Sequence, residues 1–277
     1  MVQSGRLYHA MWRLMDDRFA IVWQDSLLCL CYDQPPIVTV SGWPSDSSVF
    51  SRRDLSYTDI MHYLCQMALD IIKPEEVETH EIRQSLDQLA ILDDVYNRAE
   101  PHLRSREHCR TFHQNLEHLA LKMHVSLAIS VLSRPAIKRT LQRDPQYEYE
   151  ILRTRAKGSL INASKAFLDF QALSTVPLRT WSMVHTVLSS TLLLCIWEET
   201  RHDQECRDLQ QRVIEVFSTT ETTGNGDVSP VDDGQWLSER HIRALVTLRN
   251  AVGTALDEQD SQGSNAVNVE NSFPAFS

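Results

Sequence analysis

Arg18 to Val38 reads RFAIVWQDSLLCLCYDQPPIV, an apolar run interrupted by the polar triplet Gln24-Asp25-Ser26 and closed by Pro35-Pro36. Phe19, Val22, Trp23, Ser26, Leu27 and Leu30 recur at the spacing of one stripe on a 3.6-residue helix. Ile21, Leu28 and Cys31 add apolar surface beyond that stripe, so the spacing predicts a helix buried on more than one side. A carboxylate inside such a helix is costly unless it is paired. Asp25 is therefore expected to meet a partner from another segment, because Arg18 lies two turns back and out of direct reach. Pro35 lacks an N–H and has a fixed φ, and Pro36 pushes Pro35 out of the helical region, so the chain turns after Tyr32-Asp33-Gln34.

Composition extends the helical reading to the whole chain. Of 277 residues 42% are hydrophobic and 23% charged, enough apolar material for a substantial core. Only 8 Gly and 10 Pro, with little alternation of β-branched residues, favour helices over sheet. No βαβ rhythm is present, which argues against a doubly wound or barrel enzyme. A net charge of −10 has the wrong sign for a chain that binds nucleic acid by itself, since that affinity comes largely from Lys and Arg neutralising phosphates. The six cysteines (Cys29, Cys31, Cys65, Cys109, Cys195 and Cys206) are scattered through apolar helical contexts, as expected of reduced thiols in an intracellular protein. MVQSGRLYHAMWRL lacks the apolar core of a secretory signal, and Trp181 to Trp197 is too short and too rich in Ser, Thr and His for a spanning helix.

Further along, Ser56-Tyr57-Thr58-Asp59 reads as a capping box opening a helix with Ile60, Tyr63, Leu64, Met67 and Ile71. Pro74 marks another start, with Ile82, Leu86, Leu89, Leu92 and Tyr96 as its stripe. Ser105 to Leu132 carries two apolar stripes, the mark of a central helix, and Arg134-Pro135 ends it. Pro145 begins a helix reaching about Ala172, Pro177 opens the next, and Asp203 to Phe217 forms another. Residues 218–235 are rich in Thr, Gly and Asp and read as a flexible linker. A final helix over 236–256 starts near Ser238, and the acidic tail 257–277, with Phe273 and Phe276, is expected to be disordered. That tail is a solvated terminus or an activation segment.

Three chemical readings compete with a structural one. Leu92-Asp93-Asp94-Val95-Tyr96-Asn97 resembles the aspartate-rich metal motif of terpene synthases, helical enzymes that hold magnesium against a diphosphate. Asp93 neighbours the apolar stripe, which would turn it inward. The second metal motif of that family is missing: four and eight residues after Asn162 stand Ala166 and Phe170. Cys109, His113 and Glu117 are spaced i, i+4, i+8, and His202 with Cys206 repeats i, i+4, yet neither set supplies four ligands. No Gly-x-Ser-x-Gly elbow or phosphate-binding loop occurs, and Ser126, Ser130, Ser189 and Ser190 read as packing residues. No catalytic, cofactor-binding or metal residue is assigned, and the chain is expected not to be an enzyme.

Trp23-Gln24-Asp25-Ser26 followed by Pro35-Pro36 resembles the signature of the fungal-specific transcription factor domain, the regulatory region of binuclear zinc-cluster regulators. Asp33 and Gln34 depart from the family's Gly-Arg turn. Leu132-Ser133-Arg134-Pro135 resembles the family's close of a long apolar helix, and Trp181 to Cys195 its late leucine-rich helix. The resemblance implies an all-α fold, with residues 1–217 as the later half of the helical regulatory domain. It implies a transcriptional regulator in the nucleus, controlling a metabolic or secondary-metabolite gene cluster. Partners would be other transcription proteins or a separate zinc-cluster DNA binder, with DNA contacted only indirectly, and the chain could take a small-molecule effector or self-associate. Because the match starts near Met1, the zinc cluster and leading helices are expected to be absent. The alternatives are the terpene-synthase-like enzyme using Asp93 and Asp94, and a helical interaction module unrelated to transcription.

Overall fold

The computed structural model describes residues 22–26, 53–71, 81–138, 147–222, 246, 247 and 250, and among these the chain is all-α with no strand. It divides into two compact units, residues 1–190 and 191–277. No helix among the described residues is long and apolar enough to cross a membrane.

In the first unit, residues 22–26 are helical. The segment before the first long helix is fixed by its backbone. Asp54 takes a φ of 62°, a left-handed conformation that Asp tolerates better than most residues. Leu55 then donates to the Arg98 carbonyl at 2.8 Å and accepts from the Glu100 N–H at 2.9 Å. Helix α1 (Tyr57–Ile71) opens with the expected capping box. The Asp59 N–H donates to Ser56 Oγ at 3.2 Å, and the Ser56 N–H donates to the Asp59 carboxylate at 2.9 Å. Helix α2 (Glu81–Asn97) buries Ser85, Leu89, Leu92 and Val95. The expected start at Pro74 lies outside the described residues.

Helix α3 (Pro101–Arg104) is a single turn with Pro at its start, and a 3-10 turn (Arg106–His108) follows. The long helix α4 (Phe112–Leu132) therefore begins later than Ser105. Ser105 instead accepts from the Glu107 N–H and caps the 3-10 turn. Thr111 is the cap of α4, in a reciprocal capping box with Gln114. The Gln114 N–H donates to Thr111 Oγ1 at 3.1 Å, and the Thr111 N–H donates to Gln114 Oε1 at 3.3 Å. Past its first turn α4 is buried almost all round, through Leu116, Leu119, Leu121, Met123, Leu127 and Val131 among others. This is the central helix that its two stripes predict, packed by α1, α2, α3 and two later helices.

Arg134-Pro135 does not simply end α4. The helix stops at Ser133, whose N–H donates to the Ile129 carbonyl at 3.0 Å, and α5 (Arg134–Lys138) starts at once, with Pro135 at a position where a missing N–H costs nothing. Pro145 lies outside the described residues. Helix α6 (Tyr147–Leu173) packs along α4, and Arg106 just before α4 pairs with Asp169 near the end of α6, so the two run antiparallel. Leu121, Met123, Leu152, Phe167 and Phe170 are fully buried on these two helices.

Pro177 opens only one turn, α7 (Val176–Arg179). Thr180 is extended (φ −106°, ψ 110°), and its hydroxyl donates back to the Val176 carbonyl at 3.0 Å, competing with helix continuation. Helix α8 (Trp181–Ile196) follows, and the boundary between the two units falls within it. In the second unit, Thr200 Oγ1 donates to the Leu194 carbonyl at 3.0 Å and to the Trp197 carbonyl at 3.2 Å, closing the end of α8. Helix α9 (Gln204–Thr222) is capped by Asp203, which accepts from the Cys206 N–H at 3.3 Å. It runs beyond Phe217 into the threonines ascribed to the linker, with Ser218 Oγ donating to the Ile214 carbonyl at 2.9 Å. Residues 246, 247 and 250 are helical, within the span of the expected final helix. The rest of that helix, the rest of the linker and the tail 257–277 lie outside the described residues.

Candidate functional site

The polar chemistry of the first unit collects on one face of α4. His113, Glu117 and His124 are spaced four and seven residues apart, which returns them to nearly the same side of a helix. At the upper part of this face Glu117 accepts from two imidazoles. His102 Nε2 lies 3.0 Å from Glu117 Oε2, and His113 Nε2 lies 3.3 Å from Oε1. His102 Nδ1 is 3.4 Å from the Glu100 carboxylate, so both ring nitrogens of this buried imidazole face carboxylates. Next to it His118 Nδ1 is 2.9 Å from the Leu103 carbonyl. Burial is the leading cause holding His118 below its ordinary range. The α3 turn is thereby pinned to α4 by two histidines fifteen positions away from their partners.

Tyr57 at the start of α1 completes the cluster. Burial pushes its phenol well above the usual range, and the Glu117 carboxylate and Cys65 push the same way. Cys109 does not join a helical ligand row with His113 and Glu117, because it is extended and precedes α4. Its thiol is directed at the carbonyls of His102 (3.4 Å) and Gln114 (3.6 Å), acceptors that favour the protonated form. Burial is the leading cause that raises its pKa, Arg106 opposes the shift and Glu117 adds to it. A thiol so held is a poor nucleophile. His102 thus bridges Glu100 and Glu117 and fastens the α3 turn to α4.

Seven residues beyond Glu117 the same face meets residues 22–26. The Trp23 and His124 rings pack edge to face, centroids 4.8 Å apart. The Ser26 hydroxyl donates to the Trp23 carbonyl at 3.0 Å. On α1, burial drives the Cys65 thiol far up. Burial alone lowers His124 to about 3, so this imidazole is neutral, and its Nδ1 has no hydrogen-bond partner.

Of the signature residues, Trp23 is 6% exposed, Asp25 8% and Ser26 0%, with Gln24 half-buried. Asp25 is not left without an interaction. Pro35 and Pro36 lie outside the described residues, and Arg134 and Pro135 are half-buried in the first turn of α5, away from the α3 and α4 cluster in sequence. The aspartate pair turns outward. The Asp93 side chain is 50% exposed and hydrogen-bonds Arg155 of α6, while Asp94 pairs with Arg98 at 2.7 Å. The half-inward placement read from its stripe is thus corrected: Asp93 sits at the stripe's edge, where α6 supplies an arginine. His202 and Cys206 diverge as well, His202 accepting from Arg201 Nε at 3.0 Å in an exposed turn and Cys206 being buried. Among the described residues no group of three His, Cys, Asp or Glu is placed to hold a metal ion. Ser130 Oγ donates to the Leu127 carbonyl at 2.7 Å, and Ser189 Oγ lies 3.3 Å from His185 Nε2 in an α8 pair.

The His102, Glu117 and Tyr57 cluster was not anticipated. Its members come from three helices, and only the i, i+4 spacing of His113 and Glu117 was visible beforehand. No protein-family model, curated protein or solved structure matches this chain.

Proposed function

We propose that this chain is a helical regulatory module of the fungal zinc-cluster transcription-factor type, acting in the nucleus through contacts with other transcription proteins. The observation that carries this reading is the burial of Trp23, Asp25 and Ser26, with the Trp23 ring set edge-on against His124 of α4. The burial of Asp25 and Ser26 agrees with reading the polar triplet as a structural pairing site. Two further properties support the reading. The net charge of −10 suits a protein that reaches DNA through a partner, and His102, His118 and Cys109 make structural hydrogen bonds. Control of a metabolic gene cluster follows from the resemblance alone, and an effector or a second copy of the chain would act through the same helical body.

The test joins genetics to chromatin. Deleting the gene is expected to lower or raise transcripts of a defined gene set. Chromatin association of the tagged chain is expected to disappear when a zinc-cluster partner is removed, and the purified chain is expected not to bind duplex DNA. Magnesium-dependent turnover of a prenyl diphosphate, abolished by Asp93→Ala, would overturn the reading in favour of an enzyme.

A further inference from the structure

The surface turn between α3 and α4 is fastened from beneath and cationic on its outer side. Underneath, His102 Nε2 lies 3.0 Å from the Glu117 carboxylate, His118 Nδ1 lies 2.9 Å from the Leu103 carbonyl, and the Cys109 thiol is directed at the His102 carbonyl at 3.4 Å. Along the backbone the His108 N–H donates to the Ser105 carbonyl at 3.1 Å, the Cys109 N–H to the Arg106 carbonyl at 3.0 Å, and the Arg110 N–H to Gln114 Oε1 at 2.8 Å. This framework leaves Arg104, Arg106 and Arg110 exposed. Residues 104–110, RSREHCR, set three arginines against the single acid Glu107 in a chain whose net charge is −10. Arg106 reaches Asp169 of α6 only at 3.7 Å, with both side chains 53% exposed. Among the described residues the Arg104 and Arg110 guanidinium groups have neither an ion pair nor a hydrogen bond.

Apolar surface lies at the same end of the α4 and α6 pair. Phe112 opens α4 and is 44% exposed, and Leu173 closes α6 and is 36% exposed. Asp169, paired with Arg106, brings this end of α6 beside the turn, and Leu173 stands one helical turn further on.

We infer that Arg104, Arg106 and Arg110, flanked by Phe112 and Leu173, form a docking surface for an acidic segment of a partner protein that also carries bulky apolar side chains. Guanidinium groups take carboxylates through paired hydrogen bonds, and the two apolar side chains offer a contact from which water is excluded. A turn already fixed by its own hydrogen bonds loses little freedom on binding. The negative field of the whole chain repels a long polyphosphate, whereas a short acidic segment needs only the local arginines. Such docking does not depend on a role in transcription.

The experiment uses the full chain and a short fluorescein-labelled peptide that alternates Asp with Phe or Leu, followed by fluorescence anisotropy. Saturable binding is expected, weakened about tenfold between low salt and roughly 0.5 M salt. Arg104→Glu and Arg110→Glu are each expected to weaken it about tenfold, and Phe112→Ser about fivefold. Arg83→Glu makes the same change of charge at the end of α2 away from the turn, where Arg83 is 79% exposed, and is expected to change affinity less than about twofold. Equal circular dichroism melts of the four variants separate binding from folding. The docking surface is overturned if the peptide does not bind, if a version with Asn in place of Asp binds equally, or if Arg83→Glu weakens binding as much as Arg104→Glu. Tighter binding of duplex DNA than of the peptide would overturn it in favour of a nucleic-acid surface.

Discussion

Acid should weaken the first unit through His124, and replacing that one residue should show by how much. In the folded chain burial lowers His124 from 6.5 to about 3, whereas in the unfolded chain it takes its ordinary value. The folded-state pKa of this base is depressed, so the unfolded chain binds the extra proton. Stability is therefore flat with respect to this group above about pH 6.5 and falls as the pH drops from there toward 3. The slope from a single proton is about 1.4 kcal/mol per pH unit, so two units below the ordinary value, at pH 4.5, the group costs about 2.7 kcal/mol. His118 and His62, also lowered chiefly by burial, steepen the wild-type curve in the same direction, and carboxylates add their own dependence. These shared contributions cancel in a comparison with His124→Met. Urea unfolding followed by circular dichroism at 222 nm, at half-unit steps from pH 7.5 to 4.5, gives the difference directly. The variant is expected to be about 1 kcal/mol the more stable at neutral pH, because an unpaired buried nitrogen is gone. Its advantage should widen below pH 6.5 by roughly the slope given above. Parallel curves for the two proteins would refute the reasoning, since they would mean that the folded chain protonates His124 as readily as the unfolded one.

Three other substitutions probe separate parts of the structure. Phe167→Ala empties a fully buried position on α6 and should cost about 3–5 kcal/mol in thermal or urea unfolding. Thr111→Ala removes half of the capping box of α4 and should cost about 1 kcal/mol, with Gln114→Ala adding little on top because the two act as a pair. Asp93→Asn breaks a half-exposed pair with Arg155 and should change stability by less than about 1 kcal/mol, an effect that shrinks in high salt. A larger, salt-insensitive loss would mean that the pair is shielded from solvent.

Local signals carried the helices, and they failed where a short competing bond decided a boundary. Ser56 and Asp59 were readable because both halves of the capping box stand three residues apart in the chain. The same pattern, Thr111 to Gln114, is equally present, but Ser105 stands earlier in the chain as a cap-forming residue. The apolar rows that define α4 begin only at Leu116, so periodicity could not choose between the two starts. At Pro177 the start signal was sound and the length was not. Nothing in the spacing of Val184, Val187 and Leu188 reveals that the Thr180 hydroxyl would bond back to Val176 and divide the segment. The two stripes of the central helix were legible for the opposite reason, since burial on several sides leaves a mark in composition that needs no knowledge of the neighbours.

The sites depended on partners, and partners are where a single sequence is weakest. Trp23 could be expected to be buried from its own stripe, but its neighbour His124 lies a hundred and one positions away, and no local pattern distinguishes that histidine from His118 or His113. Asp93 shows the same limit from the other side. Its stripe placed it at the edge of the buried face, and Arg155, sixty-two positions on, drew it outward. Cys109 failed for a geometric reason: ligand spacing is meaningful only if the residues share one helix, and the extended backbone at Cys109 breaks the row before α4 begins. A polar residue on an apolar face thus announces that a partner exists without naming it. The partner decides the energetics: two carboxylates face the nitrogens of His102 and tie α3 to α4, while His124 Nδ1, with no hydrogen-bond partner, carries an uncompensated desolvation cost.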